Sequence, residues 1–295
     1  MSIKFSVIIV TYLNIDLVKQ CLNSIQRYND IGNELEVIIS DNSPDNSVIE
    51  FCNQFYPNVK TIKNKNIGFG AGNNIGVLQA RGKYLFFLNP DTILIEPIFK
   101  KAINYFEKDK DLALFGAQLL SEGLNDNPSF YLIDKFGILP SLIEKICRKK
   151  HIYIDGKMYI AGADMFVRKD IFYEAGMFDE TFFMYDEEPD LIKRIKAKCK
   201  VNKTAFYDNL KIIHLEGGTT VSLNKELTVR KHITTTDILY AKKWGLDIIS
   251  ILKSKRRYVK FKQLIYLVTF RFEKSKSQQC IVKFFDNQIK MLGDF

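Results

Sequence analysis

Cysteine is scarce and unpatterned in this chain. Its five copies, Cys21, Cys52, Cys147, Cys199 and Cys280, are odd in number, scattered, and form no C-x-x-C pair. That argues against a disulfide framework and a zinc site and fits a reducing cytoplasm. Long apolar runs are missing too. No stretch approaches the ~18 uncharged apolar residues of a spanning helix, and the run at 264–270 is far too short. The apolar run at 5–10 is followed by Asn14 and Asp16 without a small-residue cleavage site, so no secretory signal is expected. With 7 prolines and 16 glycines in 295 residues, the chain is neither collagenous nor low-complexity, and it holds no evident internal repeat. Two phosphate-binding signatures are also absent. The glycines at 68, 70, 72 and 76 do not spell G-x-G-x-x-G and follow the third expected strand rather than the first, and no Gly-Lys-Ser/Thr occurs. No Ser-His-Asp or Cys-His arrangement is visible, which leaves no obvious enzyme nucleophile.

What is present is an ordinary globular composition, 46% hydrophobic and 26% charged, with an uneven distribution of charge. The 43 basic and 34 acidic residues leave a net charge of +9. All of it resides in residues 241–295, where 13 Lys/Arg face only Asp247, Glu273, Asp286 and Asp294. A neutral body with a basic tail implies an anionic partner for the tail: a membrane, a nucleic acid or an acidic protein.

The first third alternates two hydrophobic periods. Continuous β-branched and apolar runs at Phe5–Thr11, Leu35–Asp41 and Tyr84–Leu88 read as strands buried on both faces, with a shorter one at 59–63. Helical spacing appears at Ile15–Tyr28, 48–56 and 72–80. Such repeats imply a doubly wound, mostly parallel α/β sheet with helices on both faces. Further on, 96–107 and Glu187–Lys198 read as helices, 112–120 and 158–167 as extended, and 122–150 as a mobile or inserted segment. A basic helical region follows from 223.

Ligands of open α/β sheets bind beyond the carboxyl ends of strands. The polar groups after the apolar runs are Thr11-Tyr12-Leu13-Asn14, Asp41-Asn42-Ser43, Asn64 to Gly76, and Asn89-Pro90-Asp91. Any one of them suits a cap or a turn; four in succession favour a site. Asp91 past a buried strand suits a hard cation that holds a diphosphate. Phe182-Phe-Met-Tyr-Asp-Glu-Glu-Pro-Asp190 sets an aromatic stretch against Asp186, Glu187, Glu188 and Asp190. Acidic residues suit a helix start. Burial beside like charges also raises a carboxyl pKa toward that of a general base. His214, before the glycine pair at 217 and 218, is a candidate ligand or diphosphate contact.

Taken in order, Thr11-Tyr-Leu-Asn14, Asp41-Asn-Ser43, Asn66-Ile-Gly-Phe-Gly-Ala-Gly-Asn-Asn-Ile-Gly76, Leu88-Asn-Pro-Asp-Thr92, Gly162-Ala-Asp-Met-Phe-Val-Arg168, Gly176-Met-Phe-Asp179, Phe183-Met-Tyr185 with Glu187, and His214 resemble glycosyltransferase family 2, in particular its rhamnosyltransferase-like branch, over about residues 3–220. The resemblance implies a GT-A domain over 1–222, with a nucleotide-binding part to about 120 and an acceptor part beyond, followed by a helical basic region at 223–295. It implies donor contacts from Thr11, Tyr12, Asn14, Asp41, Ser43, Gly68, Asn74, Asn89 and Asp91. It also implies a divalent Mg²⁺ or Mn²⁺ near Asp91 and His214, and a catalytic base at Glu188, with Glu187 and Asp186 as alternatives. Two residues depart from the family pattern: Asn89 stands where the D-x-D motif has its first carboxylate, and Glu188 where most relatives carry Asp.

The implied activity is inverting transfer of a sugar from a nucleotide-sugar (dTDP-L-rhamnose first, UDP-sugars next) to a glycan or lipid-linked glycan in surface polysaccharide synthesis. The expected location is cytoplasmic, peripheral at the inner face of the plasma membrane. There the basic tail, with mixed segments at 249–252 and 258–272, would meet anionic lipid. A nucleotide-sugar pyrophosphorylase would need a Gly-rich loop with Arg and Lys after the first strand, which Thr11-Tyr-Leu-Asn14 is not. A nucleic-acid-binding module would leave the carboxylates unexplained, so no nucleic-acid partner is expected.

Overall fold

The apolar runs of the first third become β1 (Phe5–Thr11), β2 (Leu35–Asp41), β3 (Lys60–Lys63) and β4 (Tyr84–Leu88), separated by helices α1 (Ile15–Tyr28), α2 (Ser47–Phe55) and α3 (Phe69–Leu78). The computed structural model describes residues 2–134, 136–215 and 223–293. β1 and β4 are buried along almost their whole length, which explains why they read as unbroken apolar runs. Beyond them lie β5 (Thr92–Leu94), α4 (Phe99–Lys108), β6 (Leu112–Leu120), β7 (Phe130–Leu132), α5 (Ile138–Lys149), β8 (Met158–Ile160), β9 (Asp164–Arg168), α6 (Lys169–Glu174), α7 (Glu187–Lys198) and β10 (Lys203–His214). Three long helices complete the described chain: α8 (Leu223–Trp244), α9 (Ile248–Val268) and α10 (Phe272–Gly293).

Eight strands form one sheet in the order β3-β2-β1-β4-β9-β6-β10-β5. The β3-β2-β1-β4 half is parallel, β9 runs antiparallel to both β4 and β6, β10 is parallel to β6, and β5 is an antiparallel edge. The fold is therefore the α/β, mostly parallel GT-A sheet that the sequence implies. Its centre is tied by a ladder of rings across three strands. Phe86 stacks on Phe166 at 3.9 Å between centroids, and Phe166 on Phe115 at 4.7 Å. Aromatic pairs of this kind contribute ~0.5–1.5 kcal/mol each beyond their buried area.

Chain contacts divide the molecule into two units, one of residues 1–131 with 151–219 and the other of 132–150 with 220–295. The first holds the sheet. The second is helical, with a small core of Leu252, Val259, Ile281, Val282 and Phe285. Within it Asp247 caps α9 by accepting from the Ser250 N–H at 3.1 Å, and Lys255 pairs with Asp237 at 2.6 Å. The expected boundary at 222/223 and the glycine pair at 217 and 218 touch residues outside those described.

Several expectations are corrected. The segment 122–150, expected to be mobile or inserted, contains β7 and α5, and its 132–150 part groups with the C-terminal helices, where α5 packs on α9. The strand expected at 158–167 is two strands, broken at Ala161–Ala163 where the Ala161 N–H turns to the Ser129 carbonyl and the Asn89 N–H to that of Ala163. α3 starts at Phe69 rather than 72, because Gly68 at φ 106 turns the chain and Phe69 N–H bonds the Phe183 carbonyl at 2.9 Å. β5, α6 and most of β10 were not anticipated, the last because polar residues interrupt its apolar pattern.

Candidate active site

The first cluster sits at the ends of β1 and β2. Register pairs Thr11 with Asp41. Thr11 Oγ1 donates to Asp41 Oδ1 at 2.9 Å, and Ser43 donates to the same oxygen through its hydroxyl (2.5 Å) and its N–H (3.2 Å). Ser43 Oγ in turn accepts from Leu13 N–H at 2.8 Å, which steadies Leu13 at φ 58. The second oxygen of Asp41 accepts from Lys63 Nζ at 3.1 Å, and Lys63 also donates to the carbonyls of Ser43 and Asp45. A fully buried carboxylate is thus matched by one ammonium and three hydrogen bonds. Beside it opens a cleft of about 530 Å³ lined by Tyr12, Asn42, Ser43, Pro44, Lys63, Asn64, Lys65 and Asn66. Asn14 occupies the N-cap position of α1, yet its side chain caps nothing and is exposed.

The glycine-rich segment is a close-packing device. A Cβ on Gly68 would lie 2.3 Å from the Phe183 carbonyl oxygen, and its φ of 106 disfavours any side chain. The segment is thereby pressed against residues 183–185, just before the acidic helix α7. Asn74 is buried and its amide is committed. It donates to the Phe178 carbonyl (2.9 Å) and Glu180 (3.0 Å) and accepts from Phe178 N–H (3.0 Å), so any part in donor binding is at one remove.

The second cluster joins residues far apart in sequence. β10 pairs with β5 so that His214 lies opposite Thr92, and His214 Nε2 comes 3.2 Å from Asp91 Oδ1. Leu215 N–H bonds the Asp91 carbonyl at 2.9 Å. Two residues earlier, the buried Asn89 Oδ1 has no hydrogen-bond partner. Among the described residues no three His, Cys, Asp or Glu side chains converge as a closed metal site.

The third cluster is the start of α7. Tyr185 (φ 75) and Asp186 (φ 67) are consecutive left-handed residues with side chains, a strained arrangement that throws the next two carboxyls inward. Glu187 is 2% exposed, and its Oε2 is buried with no hydrogen-bond partner. Burial, then the charges of Glu188 and Asp186, hold its carboxyl well above the usual range. Glu188 Oε1 accepts from Gly162 N–H at 3.1 Å. Burial and, to a lesser degree, Asp186 raise its carboxyl to about 7, against the pull of the Glu188 and Gly162 N–H groups. A Cβ on Gly162 would lie 2.5 Å from Glu188 Oε1, so the carboxyl reaches the backbone only because that residue is glycine. Asp190 does not join this group. It is buried in an ion pair with Arg194 at 2.7 Å, a structural role within α7. The aromatic wall is also only partly real: Phe182 is buried, but Phe183 and Met184 are exposed, while Phe69 and Phe178 lie near the two glutamates instead.

Gly162 and Lys63 were missed as site residues. The glycine lies in a quoted motif, but the contact that requires it is with a helix 26 positions on. Another buried carboxyl, Asp164, faces the N–H of Ala117 at 2.7 Å, and burial holds it well above the usual range. The five cysteines are unpaired; Cys21 is buried near Thr92 with its thiol pushed up to about 12, an unreactive state.

Comparison with known proteins agrees with the fold. The chain is 29% identical over 209 residues to the rhamnosyltransferase WbbL of Escherichia coli K12, across 64% of this chain and 75% of that protein. The S. aureus TarS 1–349 structure in complex with UDP matches the fold with a TM-score of 0.54 at 15% identity, over 97% of this chain and 92% of that one. The mannosyltransferase PcManGT from Pyrobaculum calidifontis, in complex with GDP-Man and Mn²⁺, does so with a TM-score of 0.53 at 11% identity, over 89% and 64%. The family description Glycosyl transferase family 2 matches residues 6–174, more than half of the chain, and the chain belongs to that family.

Proposed function

We propose that the protein is an inverting, metal-assisted hexosyltransferase in which Glu188 is the general base. The carrying observation is the state of Glu188: a carboxyl at about 7, oriented by the Gly162 N–H at the start of α7. Such a group is ionised for half of its population near neutral pH and takes a proton readily. It removes the proton of an acceptor hydroxyl as that oxygen attacks the anomeric carbon, and the bond to the nucleoside diphosphate breaks on the opposite face. Glu187 beside it is buried, and burial, then the charges of Glu188 and Asp186, hold its carboxyl well above the usual range.

The donor's nucleoside is assigned to the cleft lined by Tyr12, Asn42, Ser43 and Lys63, where Asp41, itself bonded by Thr11, holds Ser43 and Lys63 in place. The TarS structure in complex with UDP and the PcManGT structure in complex with GDP-Man and Mn²⁺ support a nucleotide-sugar donor and a divalent ion. The residues present fit such an ion. Asp91, His214 and the unpartnered Asn89 oxygen offer carboxylate, imidazole and amide donors. Bound there, Mg²⁺ or Mn²⁺ would neutralise charge on the departing diphosphate. The likeness to WbbL supports dTDP-L-rhamnose as the first donor to test and a glycan or lipid-linked glycan of surface polysaccharide synthesis as the acceptor class.

The test is nucleoside diphosphate release from dTDP-L-rhamnose, UDP-glucose, UDP-galactose and UDP-N-acetylglucosamine, with EDTA controls. Release from one donor, lost in Glu188→Gln, is expected. Pyrophosphate formation from a nucleoside triphosphate and a sugar phosphate would point to a nucleotidyltransferase instead.

A further inference from the structure

Helix α5 has its polarity reversed. Its buried positions are Glu144 and Cys147. Glu144 Oε2 accepts from Leu132 N–H at 2.8 Å, and its other oxygen pairs with Arg148 at 3.0 Å. The Leu132 bond holds Glu144 inward. Outward lie Leu139, Leu142, Ile143 and Ile146, which are 67%, 49%, 42% and 56% exposed. Their i, i+3, i+4, i+7 spacing makes one stripe, of the kind that normally covers a core. Lys145, Lys149 and Lys150 are exposed around it.

The charge of the surrounding unit indicates what covers the stripe. Residues 132–150 and 220–295 carry 21 Lys/Arg against 8 Asp/Glu, a net +13, whereas the rest of the chain sums to −4. We propose that α5 docks in the interfacial plane of an anionic lipid bilayer, its apolar stripe at the headgroup–acyl boundary and its lysines among the phosphates. With 12 residues it is about 18 Å long, too short to cross a ~30 Å hydrocarbon core but long enough to lie in its surface. Among the described residues no helix is long and apolar enough to span. A nucleic acid would satisfy the charge but offer nothing to the leucine and isoleucine row. A bilayer satisfies both. The proposal goes beyond the glycosyl-transfer reading and does not depend on it.

The experiment is co-sedimentation of the full chain with extruded vesicles, phosphatidylcholine alone or mixed with phosphatidylglycerol, at low and high salt. Binding to the mixed vesicles that weakens with salt is expected, since the Debye length is only about 8 Å at physiological ionic strength. The Leu142→Gln, Ile143→Gln, Ile146→Gln triple variant alters only exposed side chains. It should keep its melting temperature and lose vesicle affinity by about tenfold or more. In a Leu142→Trp variant, the added tryptophan emission should shift to the blue on adding mixed vesicles. If the triple variant melts early, that blue shift and the loss of binding in Lys145→Glu, Lys149→Glu, Lys150→Glu carry the test.

The proposal is overturned by a full chain that ignores anionic vesicles at low salt, or by a folded triple variant that binds as the parent does. It is also overturned by preference for duplex DNA over vesicles. A solution dimer that the triple variant dissociates, without vesicle binding, would assign the stripe to a second copy of the chain. None of these readouts uses a sugar donor, so their failure leaves the enzymatic assignment standing, and the reverse holds as well.

Discussion

The two units of this chain use their residues in opposite ways. The sheet unit buries its apolar residues in one extensive core and sums to −4. Within it Lys63 pairs with the buried Asp41. The helical unit has a small core, a net charge of +13, and apolar side chains left open on α5 and around the α9–α10 turn, where Val268, Phe270 and Phe272 are exposed. Chemistry on a diphosphate needs few, well-oriented cations, because excess charge would hold the product as tightly as the substrate. Attachment to a surface needs many cations in no special geometry, because each contributes a small and screened increment. The contrast implies a division of labour: substitutions in the sheet unit should change turnover and not vesicle binding, and those on α5 the converse.

The largest test of that division is Glu188→Gln. It preserves size but cannot take a proton, and turnover should fall by roughly 10²–10⁴-fold with nucleotide affinity and vesicle binding unchanged. In the parent, turnover should decline as pH falls through about 7, where Glu188 takes up its proton, and this limb should vanish in the variant's residual rate. Glu187→Gln should cost less. If it abolishes turnover while Glu188→Gln is near normal, the base is the neighbouring carboxylate.

Asp91→Ala should come next, with a loss on the order of 10²-fold and little change in melting, since the side chain lies past the end of a strand. Normal turnover of the variant in EDTA would remove the metal from the scheme. Gly162→Ala sharpens the geometry. The added methyl meets Glu188 Oε1 at 2.5 Å and must displace the carboxyl, so turnover should drop about tenfold or more in a chain that still binds nucleotide. A wild-type rate there would show that the Gly162 contact does not orient the base.

The smallest effect concerns stability alone. Asp164 is fully buried and its carboxyl is held above its ordinary range, so the folded chain binds its proton more tightly than the unfolded chain does. Its favourable contribution is therefore present at low pH and is lost as pH rises past the unfolded carboxyl value toward the raised folded one. Asp164→Asn keeps an acceptor for Ala117 N–H without that penalty and should melt a few degrees higher than the parent at pH 8, with the gap closing at pH 4. A gap that does not depend on pH would mean that Asp164 is not protonated in the fold.

How much of this could be read from residues alone varies by element. β1 and β4 were legible to their ends because strands buried on both faces are mostly apolar, β2 because Val37, Ile38 and Ile39 form a β-branched run, and α7 because its acidic start and basic finish follow the helix dipole. The polar groups at Thr11, Asp41 and Asp91 were legible as strand ends. That Asp91 and His214 come together was implied by the family resemblance and not by local pattern, because it depends on an antiparallel contact between a three-residue edge strand and the end of a strand interrupted by polar residues.

Local sequence by itself determined the sheet class, the order of the strand-end groups and the basic C-terminal composition, since each follows from period, propensity or charge within a short window. Only the tertiary structure decided three other things. It set which carboxyl lies against the Gly162 amide, that Asp190 is taken by Arg194, and that the stripe at 139, 142, 143 and 146 faces outward rather than in. An amphipathic period fixes that a helix has two faces. Which face meets the protein depends on partners elsewhere in the chain, here the Leu132 N–H that donates to Glu144.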